Sequence, residues 1–430
     1  MAIPTIKLLD KKIEKKDNLI VKIVDQKELF YKCVEYLRYL KKKNIDISSS
    51  GYTYFCTWSK TIGYQRANAL IGNNKRKLIF EGLKNFLKIG YLSNFELEYN
   101  PNSNTENIFI AWSTNNTLKK DLYESERYIS SFKNERKRGS WFLIHQDIYK
   151  KKIKLNNTFI LKRNKVFFSF FFLIKILLKN LKKNKINILK ILHELNTENV
   201  FSNIVLKNFL KILENNKTKK IIISYEAQPF QKYLIKNIKK KFPNIKIYCD
   251  IHSLQPSYIH LIDLTYTADF YITHNSDQKK FMIKKLKIDK KKIIKKKIVL
   301  SKKKKDFLGK IFLPYSFDNI ENIKKNFLIL EKKNYIKLKN FKLCPHPVAL
   351  NDFIYKKNCL NIKKYFKLGA PSSKKVLIVG NTNVLFEVLD LKLDVIHIIL
   401  DQISDKISPF FWGKIKITKL EENIYNYSYK

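Results

Sequence analysis

Five short stretches bring acids, amides, hydroxyls and imidazoles to places where an apolar run stops. Ser224 is followed by Tyr225-Glu226-Ala227-Gln228-Pro229-Phe230-Gln231, Cys249 by Asp250-Ile251-His252-Ser253, and Thr273 by His274-Asn275-Ser276. Further on, Cys344 is followed by Pro345-His346-Pro347 and Gly380 by Asn381-Thr382-Asn383. Carboxylates and imidazoles are the groups that move protons. A histidine just ahead of a proline at the first helical position offers a ring and free backbone N–H groups to an anion, and a nucleotide phosphate would fit there. Each stretch taken singly is also an ordinary helix cap or turn. Five of them at five strand ends are harder to assign to capping alone.

The elements that would position them alternate regularly. Apolar runs at 220–224, 245–249, 270–273 and 298–300 read as strands, and 230–241 and 275–286 as helices. The alternation resumes with strands at 310–313, 340–344, 375–379 and 395–399, a helix at 319–332 and another helical stretch before residue 375. Such alternation builds parallel sheets covered on both faces, and ligands bind them at the carboxyl ends of the strands. The five polar stretches lie at those ends. Upstream, amphipathic helices are expected at 27–42 and 77–89 and strands at 107–112, 140–145 and 158–161. A chain of 430 residues with 45% hydrophobic content suggests two domains, each with its own core. Their boundary is expected in 301–309, where four consecutive lysines precede Asp306 and a glycine. The domains are then 1–305, with an unassigned N-terminal elaboration, and 306–430.

The formal net charge of +49 would suit a polyanion. Almost all of it is lysine, whereas readers of bases and phosphates lean on arginine forks. The arginines are Arg38, Arg66, Arg76, Arg127, Arg136, Arg138 and Arg163. The expectation is a solvated basic surface with some attraction for an anionic membrane surface or a phosphorylated substrate, and no specific nucleic acid. Residues 166–178 cluster five phenylalanines with lysines following. They are too few to cross a bilayer and read either as a buried element or as an interfacial helix. Five scattered cysteines without a CxxC pair point to neither disulfides nor zinc. A cytoplasmic location is expected, with the inner face of the cell membrane as the further place. Residues 1–20 carry charges throughout and no apolar h-region, so no secretory signal is expected. No GxG occurs, which removes the dinucleotide fingerprint and the phosphate-cradling loop. No Asp-x-Asp pair is present to hold Mg²⁺, and His193-Glu194 is followed by Thr197 where a zinc protease has its second histidine. No metal and no cofactor are expected.

Two stretches resemble the GT-B glycosyltransferases of bacterial surface-carbohydrate biosynthesis, the broad group of capsule, lipopolysaccharide and sialyltransferase-like enzymes. The first is Tyr225-Glu226-x-Gln228-Pro229-Phe230-Gln231 together with Tyr248-Cys249-Asp250-Ile251-His252-Ser253. In the second, Lys310-Ile311-Phe312-Leu313-Pro314, the His346-Pro347 pair and Gly380-Asn381-Thr382-Asn383 with Glu387 come in that group's order. The resemblance covers roughly residues 219–412. It implies an α/β protein of two Rossmann-like domains facing across a cleft. It also implies that His346, with Pro347, contacts the phosphate of the leaving nucleotide, aided by Asn381, Thr382 and Asn383, while Glu387 accepts from ribose hydroxyls. Glu226 becomes the candidate general base for the acceptor hydroxyl, with His252 its rival. Gln228, Ser253, His274 and Asn275 are further cleft candidates. The implied reaction is metal-independent transfer from a nucleotide-sugar donor to a glycan or glycolipid acceptor such as surface polysaccharide or lipopolysaccharide. The paired-acid-glycine motif of many sialyltransferases is not recognisable, and the group's Gly-Lys-Pro turn after Glu387 reads Leu391-Lys392-Leu393-Asp394. CMP-linked acidic sugars and CDP-linked polyols both stay open as donors. So do two other readings: a non-catalytic sugar- or nucleotide-binding protein of the same fold, and a basic nucleic-acid- or membrane-binding protein.

Overall fold

β-Branched and aromatic runs make the strands, and amide or carboxylate caps start several of the helices. The computed structural model describes residues 26–430 except 56–74, 99–105, 116, 120–121, 124–131, 133–134, 136–138, 150–156, 164, 184–190, 192, 253, 264, 266, 297–302, 316–319, 347–348, 351 and 402–404. The first part of the chain runs α1 (Gln26–Lys42), α2 (Lys75–Lys88), β1 (Glu96–Glu98), β2 (Asn107–Ser113), β3 (Leu118–Lys119), β4 (Leu122–Tyr123), β5 (Ser140–Ile148) and β6 (Thr158–Arg163). It continues with α3 (Phe170–Lys183), α4 (Thr197–Glu214), β7 (Lys220–Ser224), α5 (Pro229–Lys241), β8 (Lys246–Asp250), β9 (Phe270–Thr273), α6 (Ser276–Lys284) and β10 (Ile293–Lys295). Asn196 caps α4 by accepting from the Asn199 N–H at 2.9 Å.

These strands form one sheet in the order β1-β6-β5-β2-β7-β8-β9-β10, while β3 and β4 pair apart. Only the β1–β6 edge is antiparallel. Counted by appearance, β6-β5-β2-β7-β8-β9 runs 3-2-1-4-5-6, the doubly wound Rossmann order, with its switch point between β2 and β7. Ile221, Ile222 and Ile223 are all fully buried, as a strand covered on both faces requires.

The second sheet is built from β11 (Lys310–Phe312), α7 (Ile320–Lys332), β12 (Lys342–Cys344), α8 (Phe353–Tyr365), β13 (Val376–Val379), α9 (Val384–Asp390), β14 (Val395–Ile398), β15 (Ile415–Glu421) and β16 (Ile424–Tyr429). Its order is β12-β11-β13-β14-β16-β15, four parallel strands followed by an antiparallel hairpin. The switch point here lies between β11 and β13. The protein is therefore two Rossmann-like α/β domains. Between β14 and β15 the chain returns to the first domain. Phe411 packs on Phe30 of α1 and Phe281 of α6. Trp412 stacks on Phe386 at 4.3 Å and donates from Nε1 to the carbonyls of Gln255 and Pro256 at 3.1 and 3.0 Å.

Several elements differ from expectation. The strand expected at 298–300 falls outside the described residues, and β10, which pairs Ile294 with Ile272, ends the first sheet instead. The strand leading to Cys344 begins only at Lys342, because Leu338–Asn340 close a 3₁₀ turn ahead of it. Residues 166–178 become a helix from Phe170, packed on one face only, and β2, upstream of the regular alternation, is the central strand of its sheet.

Candidate functional site

The chain leaves β7 at Ser224, where the Tyr225 N–H donates to the Asp250 carbonyl at 2.7 Å. It then turns through Ala227, whose φ of +53° puts an L-residue in the left-handed region at a cost of about 1 kcal/mol. One side chain holds this turn. Gln231 Oε1 accepts from the N–H groups of Glu226 and Gln228 at 2.9 and 3.1 Å, and Nε2 donates to the Ser224 carbonyl at 2.7 Å. Pro229 opens α5, where its missing N–H is no loss. Such strain persists only where the surroundings over-determine it, and it clusters at functional sites.

The turn sets Glu226 at the switch point, 6% exposed. Gln228 Nε2 donates to its Oε2 at 2.8 Å, and His252 Nε2, from the loop after β8, lies 3.3 Å from Oε1. His252 Nδ1 in turn sits 3.0 Å from Ser224 Oγ. One tautomer satisfies both contacts, with the serine hydroxyl donating to Nδ1 and the Nε2–H directed at the carboxylate. His260, in the 3₁₀ turn Ile259–Leu261 of the same loop, is buried within electrostatic reach of Glu226. Burial pushes its pKa down to about 4 despite the pull of that carboxylate, so the ring is neutral at pH 7. Sequence reasoning passed over His260, although it shares a loop with His252. Ser253 lies outside the described residues.

His274 and Asn275 belong to a second set of contacts. His274 Nε2 meets Asp250 Oδ1 at 2.5 Å in a fully buried pair. Asn275 caps α6 by accepting from the Asp277 N–H at 2.7 Å, and it donates to the Tyr429 hydroxyl of the second domain at 2.9 Å. That hydroxyl donates to Asp390 Oδ1 at 3.4 Å. Burial pushes the Asp390 carboxyl up to about 6, and the bonds from Tyr429 and Asn275 oppose the rise. Because Asp390 ends α9, the helix bearing Glu387 is tied to the first domain beside the Asp250–His274 pair.

In the second domain the backbone does the positioning. The Tyr355 hydroxyl accepts from the His346 N–H and donates to the Pro314 carbonyl, both at 2.9 Å, and so joins the ends of β12 and β11. The His346 ring meets Tyr315 edge-on at 5.5 Å. After β13, Gly380 takes φ +62°, where a side chain would also crowd Pro314 and Leu400. Its carbonyl accepts from His397 Nε2 on β14 at 2.9 Å. Burial holds His397 near pKa 4, which keeps that ring a neutral donor. Asn381 follows Gly380, and the Val384 N–H that opens α9 reaches Thr382 Oγ1 at 3.4 Å. Asn383 already has helical backbone and makes no capping bond. Glu387 is in the first turn of α9 and partly buried. Pro347 lies outside the described residues.

The structure thus brings Glu226, Gln228 and His252 into one set of contacts, His274 and Asn275 into another, and Thr382, Asn383 and Glu387 to one helix start. His346 stands on a loop two strands away from β13. A cavity of about 410 Å³ lined by Lys342, Leu343, Lys363 and Leu368 lies at the outer edge of the second sheet and includes none of these groups. Among the described residues, no cluster of three or more histidine, cysteine or acidic side chains could hold a metal ion.

No protein-family model matches the chain, and no curated protein matches it. Solved structures do. A glycosyltransferase from Rickettsia africae ESF-5 is 14% identical over 68% of this chain and 79% of its own, with a TM-score of 0.31. The wall teichoic acid polymerase TagF soaked with CDPG is 11% identical over 75% of this chain and 78% of its own, with a TM-score of 0.34. A second TagF structure gives 11%, 74%, 77% and 0.34 in the same order.

Proposed function

We propose that the chain is a glycosyltransferase that moves a sugar from a nucleotide-sugar donor, CMP- or CDP-linked, to a hydroxyl of a surface-polysaccharide or lipopolysaccharide acceptor without a metal. Residues 306–430 hold the donor and residues 1–305 present the acceptor. The observation that carries this reading is Glu226, a nearly buried carboxylate at a Rossmann switch point, fixed by different neighbours on its two oxygens and seated on a strained, clamped turn.

The acceptor hydroxyl gives its proton to Glu226 as its oxygen attacks the anomeric carbon. The bond from that carbon to the donor phosphate breaks, and the electron pair leaves with the nucleotide. His252 has both ring nitrogens engaged, whereas among the described residues the carboxylate keeps lone pairs to spare, which favours Glu226 as the base and His252 as the group that orients it. On the donor side the growing phosphate charge meets His346 and the N–H groups after Gly380. The Gly380 carbonyl, which would repel an anion, is engaged by His397.

The test pairs nucleotide binding with turnover. CMP, CDP, UDP and GDP and their sugars are screened for a thermal shift on the native chain and on Glu226→Gln, which keeps the shape and loses the base. One nucleotide is expected to stabilise both proteins equally, while transfer in the variant falls by about 10²–10⁴. Unchanged transfer in the variant removes Glu226 as the base. Nucleotide stabilisation with no transfer by the native chain makes it a binding protein.

A further inference from the structure

Between Asp147 and Glu194 the chain has thirteen lysines and arginines and no aspartate or glutamate. Its longest described element, α3, is apolar on both faces. The inner face packs Leu173, with Phe172 and Ile176 beside it, against Ile89 and Val200. The outer face keeps Phe170, Phe171 and Leu178 in solvent, Phe171 at 87% exposure, and the lead-in adds Val166, Phe167 and Phe168. An apolar helix face is normally turned to the core. This one lies on the surface, beside α2, which shares the same small core through Phe86 and exposes Leu83 and Leu87.

The aromatic lead-in is held in place. The Ser169 N–H donates to the Gly90 carbonyl at 3.0 Å, and Asn94 Nδ2 donates to the carbonyls of Lys165 and Phe167 at 3.4 Å. The Phe168 ring sits so close on Gly90 that a Cβ there would lie 2.3 Å from it. Lys165, Lys175 and Lys179 stand exposed around the phenylalanines, and none has an acidic partner among the described residues.

We propose that this face docks on an anionic lipid bilayer, with Phe167, Phe170 and Phe171 at the acyl boundary and the three lysines on the head groups. The fourteen residues of α3 span about 21 Å, too short to cross, so the helix lies in the interface plane. Charge decides between occupants. A second copy of a chain at +49 would set Lys175 and Lys179 against their own kind, whereas anionic lipid complements them. The inference stands on the surface alone and holds whether or not Glu226 is a base.

The full chain is mixed with vesicles of phosphatidylcholine alone and of phosphatidylcholine with phosphatidylglycerol, and sedimented. Binding is expected to the anionic vesicles and to weaken with salt. Phe171→Glu should lower the partition at least ~10-fold, and Lys175→Glu and Lys179→Glu about fivefold each, all with unchanged melting temperature. Phe171→Trp should shift its emission to the blue only when anionic vesicles are added. No binding, or equal binding by Phe171→Glu, overturns the proposal. So does a dimer that Phe171→Glu dissociates while vesicles leave the native chain in solution, since the face then joins two copies.

Discussion

The two switch points differ in what their contacts end on. At the first, they converge on one side chain: Gln228 and His252 reach the two oxygens of Glu226, Ser224 holds His252, and Gln231 clamps the backbone turn beneath them. At the second, side chains hold the backbone: Tyr355 takes the His346 N–H and His397 takes the Gly380 carbonyl, while Thr382 reaches its own helix only at 3.4 Å. A group that accepts a proton must be fixed at the atom that does so. A site for a spread, negatively charged phosphate is better made of N–H groups whose direction the fold sets. On the proposed function, changes at the first point should appear in kcat, and changes at the second in donor affinity.

The sharpest break in that contrast is Gln231→Leu. It leaves one buried and one partly buried N–H group and one carbonyl without their partner, at about 1 kcal/mol each, and releases the left-handed Ala227. A stability loss of about 3 kcal/mol is expected by denaturant unfolding, with kcat falling and the donor KM nearly constant. A variant that loses stability but keeps kcat would mean that the strained turn serves folding alone. His397→Phe should do the reverse. With the Gly380 carbonyl set free to face an incoming phosphate, nucleotide affinity is expected to drop about tenfold, read by titration calorimetry, while kcat at saturation changes little. A matching loss in kcat would merge the two roles.

The unequal legibility of the two regions has a physical cause. Glu226, Gln228 and His252 could be read because a parallel strand delivers its next residues to the active edge, so their place follows from their own segment. His397 could not be read, since it looks like any residue of an apolar strand, and only the register pairing Ile378 with His397 brings it to Gly380. The same holds for the Asn275–Tyr429–Asp390 junction, whose members are joined by a domain contact that no local pattern encodes. α1 and α2 were legible from their period. α4 was hidden because its Val200, Ile204 and Val205 favour strands locally, and packing on the sheet overrides that preference. The hairpin β15–β16 was hidden because β15 exposes its lysines while β16 buries Ile424, Tyr425 and Tyr427 together, so neither strand shows a clean apolar–polar alternation.

The smallest effect tests how the two regions are joined, through the pH dependence of stability. His193, His260 and His397 have folded pKa values pushed down to about 4 by burial, against about 6.5 unfolded. Below pH 6.5 the unfolded chain takes up those protons first, so stability falls as pH drops from 6.5 to 4. Asp390 acts in the other direction. Its folded pKa of about 6 exceeds its unfolded value, so its contribution is full below pH 4 and is lost as pH rises through 6. Between pH 4 and 6 three histidines are thus opposed by one carboxyl. Asp390→Asn keeps the contact with Tyr429 and removes the opposition. The variant should be slightly more stable at pH 7, by about 1 kcal/mol after allowance for solvent screening, and its melting temperature should fall more steeply than the native protein's toward pH 4. Superimposable melting curves from pH 4 to 7 would show that Asp390 carries no proton for the junction. The stacking of Trp412 on Phe386 and its bonds to Gln255 and Pro256 would then be what holds α9, and the groups at its start, against the first domain.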